Sequence, residues 1–170
     1  MASGARLLSV GGSGIGLGIA AALFVALDWL LPPIAAASTA DRLGLAALAL
    51  LPGALVLALM IGAQMLLRFA TGAFDPIAGS DSRALIRTQR AITNTVEQLA
   101  VFAPAMLALA AAGAPMRGVA ALGVVFGVAR LAFWLGYAIH PLARAPGMAA
   151  TGACSLAALG WAGLAWAGLV

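Results

Sequence analysis

Several residue types that build soluble catalytic sites are scarce in this chain of 170 residues. It has no lysine, one histidine (His140) and one cysteine (Cys154), and charged residues make up 8% of the whole. A lone cysteine excludes an internal disulfide, and beside a single histidine it excludes a metal centre built from the usual nitrogen and sulfur ligands. Soluble domains carry about 25% charged residues, so most of this surface faces something other than water. The pI near 11.1 rests on a formal charge of only +4 without a basic face, and no nucleic-acid partner is expected.

What the chain has in quantity is apolar: 64% hydrophobic residues and a mean hydropathy of +1.10. Apolar runs of about 20 residues, enough to cross a bilayer as helix, recur along it. They predict five spans, at roughly Val10–Leu31, Leu43–Phe69, Arg83–Ala112, Arg117–Ala138 and Gly147–Leu169. Strands are not expected, because the runs are continuous rather than alternating. Pro32-Pro33, Asp75-Pro76 with Gly79, Gly113-Ala-Pro115 and the stretch from His140-Pro141 to Pro146-Gly147 supply the breaks. Connections this short make consecutive spans antiparallel neighbours.

Cytoplasmic loops collect arginine. With the N-terminus inside, Arg6, Arg68, Arg83, Arg87, Arg90, Arg130 and Arg144 lie at or near that side, and Arg42 and Arg117 lie on the other. The expected topology is N-in, C-out, as a multi-pass membrane protein. A cleaved signal peptide is the alternative for the first span; its long apolar part and the lack of a small-residue cleavage site favour a retained helix. The run Gly11-Gly12-Ser13-Gly14-Ile15-Gly16-Leu17-Gly18 lacks the βαβ setting of a dinucleotide fingerprint. Glycines four apart instead let membrane helices approach closely.

Polar residues inside the spans are costly and mark functional candidates. The third span opens with Arg83, Arg87, Arg90, Asn94 and Glu97 at steps of four, three, four and three, one face of a helix. Arg83 and Arg87 are either headgroup anchors or ligand-binding groups. For Asn94 and Glu97 the alternative to a ligand site is an internal ion pair. The fourth span carries Arg130, Phe133 and Tyr137 on one face, and Arg144 follows in the next loop. Trp134 reads as an interfacial aromatic and His140 as a loop-end residue. Arginines, an amide, a carboxylate and a phenol at one membrane interface suit a small ligand with carboxylates and an amine, since guanidinium grips carboxylate in a fork. A nearby cation also favours a thiolate.

At these residues the sequence resembles the MAPEG family, membrane-associated proteins in eicosanoid and glutathione metabolism. The matched pattern is Arg87-x-x-Arg90-Ala-x-x-Asn94-x-x-Glu97, then Arg130, Gly136-Tyr137 and Arg144-x-Pro146-Gly147 at family-like spacing. It covers roughly Leu43 to the C-terminus. The resemblance implies an all-α membrane bundle: a four-helix domain over residues 43–170 and an additional N-terminal helix with its loop over 1–42. It also implies a homotrimer, with glutathione held between subunits near the cytoplasmic side. Arg90, Asn94, Glu97 and Tyr137 would lie on glutathione, with Arg87 in the same stripe. Arg144 matches the arginine that stabilises the thiolate, Arg68 an arginine ending the preceding helix, and Arg130 an arginine near the same region. The sequence departs from the pattern at Ile92 and Gln98, where glutathione-touching polar and aromatic residues stand in the family, and at Phe133, where a tyrosine would stand.

The function so implied is a membrane-bound, glutathione-dependent transferase or peroxidase attacking lipophilic electrophiles by thiolate, with glutathione as co-substrate, membrane lipid around it and no metal. The alternative is a non-catalytic subunit or scaffold of the same fold, its glycine-rich first helix docking a partner in a larger membrane complex. A transporter is a third reading, weakened by the absence of an inverted repeat or a mid-membrane charged path.

Overall fold

Proline and glycine positions divide the chain into helices, and the computed structural model shows where each division falls. It describes residues 2–75, 77 and 79–169. The helices are α1 (Ala2–Leu30), α2 (Thr39–Ala49), α3 (Leu51–Thr71), α4 (Arg83–Ala111), α5 (Met116–Ile139) and α6 (Ala145–Trp166), with no strand among the described residues. Together α2 and α3 make one span, so five helical segments among the described residues are long and apolar enough to cross a membrane. They fall where the apolar runs place them.

The one departure from simple spans is the break at Leu50 between α2 and α3. Pro52 has no amide proton to offer the carbonyl of Leu48, and its ring crowds that carbonyl. The Leu50 amide turns instead to the Ala47 carbonyl, at 3.2 Å, in a tighter final turn. Elsewhere the ends follow the chemistry of caps. Ser38 and Asp41 form a reciprocal capping box at the start of α2. Gly72 closes α3 with φ 67°, and Ser82 opens α4 by accepting from the Leu85 amide at 3.3 Å.

The core lies between α4, α5 and α6, where Phe102 and Phe126 stack with ring centroids 4.0 Å apart beside buried Met106, Val119 and Val125. Close approach depends on small residues. Gly123 and Gly127 of α5 receive the α2–α3 break: a Cβ at Gly123 would overlap Ala49, and one at Gly127 would overlap Pro52. The outer surface is apolar, with Leu66, Phe69 and Leu156 more than two-thirds exposed, as expected of side chains facing lipid.

The first helix, α1, packs on α5 and α6 of its own chain. Gly16 lies against Pro146 so closely that a Cβ there would collide with the Pro146 backbone, and Gly12 touches the Pro146 ring. This glycine face, which the sequence offers to a partner, is therefore occupied within the chain; Gly11, Gly14 and Gly18 stay open. At the far end of α1, Asp28 pairs with Arg117 at 3.1 Å. The start of α1 thus lies beside the start of α6, and its end beside the start of α5. Arg68, Arg83, Arg87 and Arg144 gather at one end of the bundle, and Arg42 and Arg117 at the other. Arg42 donates to the Ala114 carbonyl at 3.0 Å.

Candidate functional site

The polar stripe of α4 opens onto a cavity of about 550 Å³ lined by Arg90, Thr93, Asn94, Glu97, Phe133, Tyr137, Arg144 and Met148. Helical spacing presents Arg90, Asn94 and Glu97 to it from α4, the end of α5 supplies Phe133 and Tyr137, and α6 begins at its rim with Arg144. The Arg144 guanidinium lies over the Tyr137 ring, 4.9 Å from its centroid. Asn94 donates its amide to the Glu97 carboxylate at 3.4 Å.

Glu97 has no cation partner: among the described residues the ion pairs are Arg68–Asp81 and Arg117–Asp28. The internal ion pair considered for Glu97 is thus not formed. Arg90, Glu97 and Arg144 are exposed in a single chain. Two guanidiniums and a carboxylate therefore face one open space without neutralising each other, a costly arrangement at a lipid surface unless something charged occupies it.

Arg130 is different. It is fully buried and does not line the cavity. Its guanidinium donates to Thr95 Oγ1 at 2.7 Å, Asn94 Oδ1 at 3.2 Å and Thr151 Oγ1 at 3.4 Å, and it lies over the Phe133 ring at 4.0 Å. It joins α4, α5 and α6 and fixes the Asn94 amide so that its nitrogen faces Glu97. Phe133, where a tyrosine was the family expectation, forms both a wall of the cavity and the apolar face under Arg130. Ile92 packs with Phe133, Trp134 and Tyr137 around Val56 and Met60.

The remaining candidates lie apart. Arg87 turns away from the cavity to donate to the carbonyls of Ala138 and Ile139 at 3.0 and 3.5 Å, where the end of α5 leaves acceptors unfilled. It borders a separate apolar cleft with Leu67, Trp134 and Tyr137. Arg68 is held by both oxygens of Asp81 at 3.0 and 3.1 Å and by the Ala73 carbonyl at 2.9 Å. Trp134 is half-buried against α3 and α4 rather than a free interfacial ring. His140 caps α5, and its Nδ1 accepts from the Leu142 amide at 3.2 Å, as a loop-end residue should. Thr93, Thr95, Met148 and Thr151 were not singled out from the sequence. Thr88, Ala91 and Thr95, at steps of three and four, were the available sign of an inward small-residue stripe.

The family model of the MAPEG family matches residues 43–164. This chain belongs to the MAPEG family. No curated protein matches it. The matched range starts inside α2 and runs through most of α6, so α1 lies outside the family's portion. As a MAPEG protein it is an integral, multi-pass membrane protein with the family's helical bundle, in a family of glutathione-linked transferase and peroxidase chemistry.

Proposed function

We propose that this MAPEG protein is a glutathione-dependent transferase or peroxidase acting on lipophilic electrophiles. The observation that carries the reading is the open cavity in which Arg90, Arg144 and Glu97 stand without ionic partners. Glutathione brings two carboxylates, one ammonium and a thiol, the complement of that set. Arg90 grips a carboxylate, Glu97 takes the ammonium, and Asn94, held by Arg130, hydrogen-bonds the peptide. Arg144 sits at the rim, steadied on the Tyr137 ring, and favours the thiolate by its charge. The thiol proton leaves to water, and the sulfur then attacks an electrophile arriving from the bilayer.

The exposed charges further support a homotrimer in which a neighbouring subunit covers the cavity. We assign the arginine-rich end to the cytoplasm, giving N-in and C-out, and residues 1–42 to an appended helix and loop. Arg68 and Arg87 act in this reading as braces of the α3–α4 loop and the α5 end.

Calorimetry of the purified protein with glutathione is expected to show binding that Glu97→Ala abolishes. Arg144→Ala should remove the thiolate absorbance of bound glutathione while largely sparing affinity. No binding over a millimolar range would overturn the proposal and favour the scaffold reading.

A further inference from the structure

Arg144 and Met148 border a second space as well. It is a cleft of about 280 Å³ that Tyr137 does not line, formed by Ser9 and Ser13 of α1 and by Pro141, Leu142, Arg144, Ala145, Met148 and Ala149. One wall therefore comes from the helix outside the family's portion. Its register is set by the contacts of Gly12 and Gly16 with Pro146. With α1 pinned there, Ser9 and Ser13, one turn apart, face the beginning of α6.

We infer that this cleft is the binding site for the second substrate, and that it takes an α,β-unsaturated carbonyl compound. The inference rests on the glutathione reading above. Two spaces meeting at Arg144 place a thiolate on one side and the electrophile on the other. The cleft's polar groups, two hydroxyls and a guanidinium, are all hydrogen-bond donors suited to an oxygen on which negative charge develops. Leu142, Ala145, Met148 and Ala149 give its alkyl part an apolar bed.

In the reaction the sulfur bonds to the β-carbon. The carbon–carbon π pair shifts toward the carbonyl oxygen as an enolate, which Ser9, Ser13 and Arg144 stabilise. Water then delivers a proton to the α-carbon, matching the proton the thiol released, so no oxidant or further reactant is needed. The charge on Arg144 serves the thiolate first and the enolate next.

Ser13→Leu fills the cleft, and Ser9→Ala/Ser13→Ala removes the donors without filling it. With trans-2-nonenal, Ser13→Leu should raise KM about tenfold or more and also lower kcat, since one enolate donor is lost with the space. The double alanine variant should lower kcat/KM about fivefold with KM little changed. Glutathione affinity and thiolate absorbance should stay at wild-type values in both. Unchanged nonenal kinetics in both variants would overturn the proposal. A diazirine-bearing alkenal should label the segments holding Ser9–Ser13 or Leu142–Ala149, and Ser13→Leu should abolish that labelling. Labelling confined to the cleft beside Trp134 and Leu135, or none, would overturn it. A wild-type protein that fails to bind glutathione defeats the transferase reading alone; the labelling then decides the site by itself.

Discussion

Arg130 and Arg144 approach the same region of the bundle from opposite circumstances. Arg130 is fully buried, with three side-chain oxygens from α4 and α6 around it and an aromatic face beneath. Arg144 is exposed, rests on one aromatic ring, and borders two spaces. A guanidinium enclosed by protein acceptors has little left to offer a ligand. One whose donors face open space has most of its hydrogen-bonding capacity unspent. The contrast separates a residue that shapes the site from the one to which the proposed function gives its chemistry.

The contrast breaks first at Arg130. Arg130→Ala should cost about 3 kcal/mol, through the cavity it opens and the hydroxyls it strands, read as a lowered midpoint of thermal unfolding in detergent. Arg130→Met, which refills the volume, should cost clearly less, because apolar replacements of buried charges are well tolerated. Both should weaken glutathione binding, since Asn94 loses its hold. Equal stability losses in the two would show that hydrogen bonding outweighs volume at this position. Gly123→Val tests packing alone: about 2 kcal/mol lost as α5 is pushed from the α2–α3 break, measured by the same unfolding. Arg144→Ala should change stability by no more than about 0.5 kcal/mol while removing the thiolate, and a large stability loss would erase the distinction between the two arginines. The smallest effect belongs to the opposite end. Asp28→Asn breaks a half-exposed pair and should cost about 0.5 kcal/mol, less at high salt, with glutathione affinity unchanged by calorimetry.

The five spans were legible because hydropathy and proline or glycine breaks act locally. The Leu50 break was not, since Pro52 lies within an apolar run and its effect depends on the glycines of α5 that receive it. At the site, the stripe Arg90–Asn94–Glu97 could be read from helical spacing alone, and the predicted topology put Tyr137 and Arg144 at the same membrane interface; the resemblance added their roles. Arg87 shares that spacing, yet the unfilled carbonyls ending α5 draw it aside. Arg130 shares a face with Phe133 and Tyr137 on α5. Its burial is decided by Thr95 and Thr151 on two other helices, information that no single-helix periodicity contains. The partner of Arg68, Asp81, lies across a loop for the same reason.

The buried Arg130 also bears on how the protein is made. A lone arginine deep in a helix entering lipid costs about 2.5–3.5 kcal/mol. When α5 leaves the ribosome, Asn94 and Thr95 of α4 are already synthesised, but Thr151 of α6 is not. The arginine is thus met first by the helix before it and enclosed only when the helix after it arrives. In this chain the order of synthesis is also the order in which the membrane's objection to α5 is answered.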